Sequence, residues 1–130
     1  MTVAWHRIVR DEEAEIQAAV RDALEDAAVQ AVVATGGTGV APRDVTVEAC
    51  RGFFDKELPG FGELFRFLSY EDVGTAALAS RATAGIAARK PVFLLPGSRD
   101  AVDLAVRRLV LPELGHLVSI AGGDKPRHGA

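Results

Sequence analysis

Three glycines in four positions, Gly36, Gly37 and Gly39, follow the short apolar run Ala31 to Ala34, and Arg43 and Asp44 stand side by side just beyond them. Glycine lets the backbone take positive φ and brings main-chain N–H groups close to a ligand with no Cβ in the way. A strand, a glycine loop and a helix, in that order, form a setting for phosphate. Arg43 can pair with phosphate oxygens, and Asp44 can hold magnesium, a hard cation that prefers carboxylates, phosphates and water. Neither standard phosphate motif is completed: there is no GxxxxGK[ST], and no GxGxxG. Glycine clusters also serve plain turns, and Asp44 suits a turn or helix cap ahead of Thr46 equally well. The residues alone leave those two uses of Asp44 level.

Other reactive side chains form no such pattern. Cys50 is the single cysteine, which reads as a small buried hydrophobe because nothing near it in sequence would activate a thiolate. His6, His116 and His128 lack metal-site spacing. Ser69, Ser80 and Ser98 lack a GxSxG setting. Arg66 and Arg81 lie among apolar and small residues, so each is either a pocket-facing guanidinium or part of a structural salt bridge.

The elements that must position these residues read as follows. Val3 to Val9 has strand composition, and Asp11 offers a helix N-cap with Glu12 and Glu13 in the first turn. Ile16, Val20, Ala23, Leu24 and Ala27 share one helical face, and Val29 to Thr35 forms the next strand. Strand, helix, strand predicts a parallel βαβ unit. Thr46 is expected to cap a helix through about Phe54, PGFGE at Pro59 to Glu63 to break and restart the chain, and Gly74 to interrupt it. The small-residue stretch Thr75 to Lys90 predicts a closely packed helix. A buried strand then spans Val92 to Leu95, and Ser98 caps a helix whose Ala101, Val102, Leu104, Ala105 and Leu109 face inward. Both exits, TGGTG and LPGS, lie at carboxyl ends of strands, the edge where open α/β sheets bind ligands.

Composition frames this reading. With 130 residues, 48% of them apolar and 25% charged, the chain suits one globular domain, placed at residues 1–120, with a tail at 121–130 that is expected to be mobile. A net charge of −3 and a pI near 5.6 argue against a general nucleic-acid binder. One cysteine, no bilayer-length apolar run and no signal-peptide layout predict a cytoplasmic protein with no membrane role.

Taken together, TGGTGVAPRDVTVEA, PGFGELFR, SYEDVGTAALASRATAGI, VFLLPGS and PELGHL resemble the molybdenum-cofactor biosynthesis proteins of the MoaB/MogA type, from about Val3 to Leu117. The resemblance implies a three-layer α/β/α fold with a mostly parallel sheet. It also implies magnesium-dependent adenylylation of molybdopterin by ATP, and assembly as a homo-trimer or homo-hexamer with the Ala-rich segment Thr75 to Ala88 as a contact surface. By motif, Asp44 and Asp11 take the catalytic and metal-holding places. Gly36, Gly37, Thr38 and Gly39 line the nucleotide phosphates, and Pro96, Gly97 and Ser98 close the adenine side. Glu63, Ser80 and Arg81 take the pterin positions.

Family members begin with a further strand, a loop with an S-D-x-R-like motif and a helix ahead of the segment that opens this chain. The resemblance thus implies that the first strand and helix are lacking here, through truncation, a misassigned start, or replacement of the strand by an inward shift of the Met1 segment. Because that segment belongs to the nucleotide edge, the alternative function is a non-catalytic molybdopterin-binding member without ATP binding. A third reading is an oligomeric or partner-binding module in which the glycine loop is only a turn.

Overall fold

The computed structural model describes residues 2–124. Its first regular element is helix α1, Glu13–Glu25, which buries Ile16, Val20 and Ala23 at helical spacing and carries Glu13 and Glu15 in its first turn. Asp11 does not cap it. The N-cap position falls at Glu12, with no side-chain bond, and Asp11 is exposed. Strand β1, Val32–Thr35, follows, then helix α2, Thr46–Arg51, strand β2, Lys56–Glu57, and helix α3, Pro59–Val73. A 3-10 segment, Gly74–Ala79, leads to strands β3, Thr83–Ala87, and β4, Lys90–Leu95. Helices α4, Arg99–Ala105, and α5, Leu111–Ala121, are joined by a π-helical stretch, Val106–Val110.

The sheet order is β1-β4-β3-β2. The α/β expectation holds, but the sheet is mixed: β1 and β4 are parallel, with Val32 opposite Val92, whereas β3 runs antiparallel to both β4 and β2. Two cores cover its faces. Ile16, Val20, Val47, Cys50, Val92 and Leu94 fill the side of α1 and α2. Phe65, Ala82, Ala84, Phe93, Leu95, Ala105 and Val110 fill the side of α3, α4 and α5. This gives the three expected layers.

Four local readings need correction. The Val3–Val9 segment forms no strand, so it neither opens a βαβ unit nor substitutes at the edge of β1. β-composition alone makes no strand without a neighbour to complete its ladder, and the segment is held instead by an Arg7–Asp22 ion pair at 2.8 Å and by Val9 against the core. Thr46 is the first residue of α2 and not its cap, and α2 ends at Arg51. PGFGE does not break the chain: Pro59 sits at the start of α3, where its missing N–H costs nothing. The Thr75–Lys90 helix is absent, because alanine-rich composition favours helix locally while β3 needs small residues for burial. Ala82, Ala84 and Ala87 are fully buried, and a Cβ on Gly85 would lie 2.6 Å from the Phe54 ring. Within the stretch read as a contact surface, Ala77, Ala82, Ala84, Gly85 and Ala87 are buried, while Thr75, Ala76, Leu78, Ala79 and Ala88 are exposed.

Ser98 caps α4 as expected, accepting a hydrogen bond from the Ala101 amide at 3.2 Å. Ala105 of the expected inward stripe is completely buried. The helix does not stop there, since the π-helical stretch just before Pro112 accommodates the ring and missing N–H, and the rod continues through α5. Gly74 ends α3 with φ +64°. Most of the expected mobile tail, residues 125–130, lies outside the described residues.

Candidate functional site

The exits of β1 and β4 meet, as the two glycine-bearing loops require. The Gly36 amide donates to the Leu95 carbonyl at 2.8 Å, and a Cβ on Gly97 would stand 3.3 Å from Gly36 Cα. Gly36 and Gly37 take φ of +96° and +71°. Gly37 has a second reason to be glycine: a Cβ there would lie 2.1 Å from Thr46 Oγ1. That hydroxyl donates to the Gly36 carbonyl at 2.8 Å, and the Thr46 amide donates to the Gly37 carbonyl at 3.1 Å. Buried Thr46 therefore clamps the base of the loop from α2.

Beyond the clamp, the loop is fixed through its carbonyls. Thr38 O accepts the Arg81 amide at 2.8 Å, and Gly39 O accepts Arg81 Nε at 2.8 Å. The amides of Gly37, Thr38 and Gly39 have no protein acceptor among the described residues. Thr38 is only 2% exposed, and a buried amide without a protein acceptor is rare unless water or a ligand completes it.

Asp44 closes this loop. Its Oδ2 accepts the Ala41 amide at 2.9 Å while its own amide donates to Ala41 O at 2.9 Å, so the carboxylate makes the turn and still lines the site. A Cβ on Gly39 would lie 2.7 Å from that same Oδ2, so glycine is needed here to admit the acid. The turn reading of Asp44 holds, and its Oδ1 makes no hydrogen bond to the protein among the described residues.

Arg81 ties the parts together. Besides Gly39 O, it reaches the Asp44 carbonyl with Nη2 at 3.0 Å and grips both carboxylate oxygens of Glu48. That grip holds the Glu48 carboxyl below its usual range, chiefly through the Arg81 hydrogen bond. Val40, Ala41, Pro42, Asp44, Val45, Glu48 and Arg81 line an open pocket of about 430 Å³. Four of the five N–H donors of Arg81 are engaged within the protein, which makes it a brace for the loop before it is anything else.

The other sequence-derived residues fall into place unevenly. Pro96, Gly97 and Ser98 form the adjoining exit of β4. Ser80 Oγ accepts the Ala82 amide at 3.3 Å beside Arg81. Glu63 is exposed in the second turn of α3, and Asp11 is exposed ahead of α1; neither makes a hydrogen bond or ion pair with the loop among the described residues. Arg43 is exposed and also unpaired there. Cys50 is buried, and desolvation pushes its thiol up to about 11, which leaves no reactive thiolate at neutral pH.

Glu48 and the loop-clamping part of Thr46 were not read from sequence, while Arg66, read as a pocket-facing guanidinium or salt-bridge member, lines a second pocket with Tyr70, Thr75, Ala77 and Leu78. Glu48 carried one signal: it stands four residues after Asp44, one helical turn along. No group of three or more His, Cys, Asp or Glu side chains able to hold a metal ion exists among the described residues. A lone available carboxylate beside unpartnered amides suits magnesium arriving with phosphates, since that ion takes one or two carboxylates and fills its octahedron with phosphate oxygens and water.

Comparisons with known proteins place the fold in a family. A family described as "Probable molybdopterin binding domain" matches residues 1–116. Molybdenum cofactor biosynthesis protein B of Bacillus subtilis (strain 168) is 51% identical over 124 residues, spanning 95% of this chain and 73% of that protein. The protein of the same name from Staphylococcus aureus (strain N315) is 52% identical over 116 residues, spanning 88% and 68%. A crystal structure of a molybdenum cofactor biosynthesis protein B superposes with a TM-score of 0.88 at 48% identity, covering 91% of this chain and 74% of that one. The tungsten cofactor synthesizing protein MoaB from Pyrococcus furiosus superposes at 0.82 with 42% identity, covering 89% and 73%. The chain belongs to the MoaB/MogA family of molybdenum cofactor biosynthesis proteins.

Proposed function

We propose that this chain adenylylates molybdopterin at the site formed by the two strand exits. The loop from Gly36 to Gly39 grips the phosphates of ATP, with Pro96, Gly97 and Ser98 on the nucleoside side. A terminal phosphate oxygen of molybdopterin attacks the α-phosphorus of ATP, the bond from that phosphorus to the β-phosphate bridging oxygen breaks, and pyrophosphate leaves. Magnesium brought with ATP would be held at Asp44 and would supply positive charge to the phosphate oxygens; Asp11, the second carboxylate assigned by motif, stands exposed ahead of α1 and would have to approach with the nucleotide. The protein's own part is to orient: amides face the phosphates, Arg81 fixes the loop, and Glu63, Ser80 and Arg81 border the pterin side.

The observation that carries this reading is the buried Thr38 amide and its neighbours, which have no acceptor among the described residues, beside a carboxylate with one oxygen to offer. Self-association as a trimer or hexamer belongs to the same reading. It is supported by the exposed apolar side chains Leu64, Phe67, Tyr70 and Val73 of α3 and by Leu78, which is 85% exposed. Among the described residues no helix is long and apolar enough to cross a membrane.

The test is formation of adenylylated molybdopterin from molybdopterin, ATP and magnesium. Asp44→Asn keeps the size and the Ala41 turn but loses the charge, so turnover should fall by at least about 100-fold with the fold intact. Equal rates in the two proteins would remove Asp44 from the chemistry. Binding of molybdopterin with no binding of ATP would favour the non-catalytic alternative.

A further inference from the structure

We propose that Arg66 is a positioning residue for the phosphate-gripping loop, acting on it from the opposite side through the backbone around Arg81. Its catalytic consequence rests on the function proposed above, but its structural claim does not.

Arg66 lies on α3, remote in sequence from the glycine loop. Its Nη1 donates to two carbonyls, Ser80 O at 3.2 Å and Ala82 O at 2.8 Å, the residues on either side of Arg81. One guanidinium nitrogen thus fixes the Ser80–Arg81 peptide plane, which carries the Arg81 amide, and the Ala82–Thr83 plane just beyond Arg81. From the backbone between those carbonyls the Arg81 amide reaches Thr38 O, and its side chain reaches Gly39 O, Asp44 O and Glu48. Every protein contact that Arg81 makes to the loop therefore starts from backbone that Arg66 holds.

A second observation, independent of those hydrogen bonds, marks the same path. Gly62 is buried one turn before Arg66, and a Cβ there would lie 2.5 Å from Ala82 O and 2.6 Å from Arg66 Nη2. Its φ is not in the left-handed region, so backbone freedom does not explain the glycine. The bare Cα lets the guanidinium and the Ala82 carbonyl close on each other. Nor is Arg66 what docks α3. Phe65 is 1% exposed in the core, and Phe61 meets Phe93 of β4 with ring centroids 5.4 Å apart. Removing the donors should leave the helix in place and loosen what lies beyond Arg81.

The experiment is amide hydrogen exchange, by NMR, on the full chain without ligand, comparing wild type, Arg66→Met and Arg66→Lys. Methionine keeps the unbranched apolar stem and removes the donors; lysine keeps a cation that reaches one carbonyl at a time. In Arg66→Met the hydrogen-bonded amides of Ala41, Asp44, Thr46 and Arg81 should exchange at least about tenfold faster, with those of α1 and β4 unchanged. Arg66→Lys should restore part of the protection, to within about threefold of wild type. Unchanged loop amides in Arg66→Met, or equal acceleration of all amides, would overturn the proposal, since a contact that only adds stability acts globally. If Arg66→Met does not fold, Arg66→Lys decides: selective acceleration at those four amides supports the clamp, and none refutes it. Adenylylation measured in parallel separates the two claims, because a loosened loop in a chain that never turns over ATP keeps the clamp and removes the chemistry.

Discussion

Two places in this fold carry consecutive residues at positive φ, and they solve the same backbone problem differently. At the exit of β1 the residues are Gly36 and Gly37, at +96° and +71°; in the turn between β3 and β4 they are Ala88 and Arg89, at +49° and +62°. The two-residue hairpin needs left-handed conformations because they match the twist of its strands, and it accepts side chains since both residues point into solvent. The strain there is about 1 kcal/mol per residue, which the β3–β4 ladder over-determines. At Gly37 no side chain is possible, because Thr46 Oγ1 fills the space that a Cβ would take. Positive φ is therefore a property of turns in general. What sets the β1 exit apart is glycine forced by close approach, with a buried unpartnered amide beside it.

That comparison can be broken at several points. Gly37→Ala combines a left-handed alanine with a collision at Thr46, and should cost about 2–5 kcal/mol in urea unfolding. A cost under about 1 kcal/mol would mean that the Thr46 clamp yields and the two regions differ less than argued. Thr46→Val keeps the volume and removes the hydroxyl donor to Gly36 O, which should cost about 1–3 kcal/mol and lower adenylylation further than stability alone explains. Unchanged stability would deny the clamp any share in holding the loop. The smallest effect is expected at the hairpin: Ala88→Asn relieves a left-handed alanine and should stabilise by about 0.5 kcal/mol in the same measurement, with activity untouched. A loss of activity there would show the two regions to be coupled.

Much of the site was legible in the chain because it is local. Gly36 to Asp44 spans nine consecutive residues, and the apolar runs before Gly36 and Pro96 are strands that exit side by side. Helix α1 was legible from its spacing of Ile16, Val20 and Ala23. What escaped depends on distance in sequence or on neighbours. Arg81 meets Glu48 across 33 residues and Gly39 across 42, and no pattern along the chain pairs them. β3 was hidden because alanine favours helix locally, while in the fold Gly85 lies against the Phe54 ring and Ala82 and Ala84 are buried in the core with Phe65 of α3. The Val3–Val9 segment erred the opposite way, having strand composition with no adjoining strand in the described residues to realise it.

The most direct measurement is a crystal of this chain soaked with ATP and manganese, recorded at the manganese edge. The account predicts an anomalous peak bound to the Asp44 carboxylate, with phosphate oxygens against the amides of Gly37, Thr38 and Gly39. A nucleotide bound elsewhere, or a metal bound to its phosphates with Asp44 turned away, would contradict it.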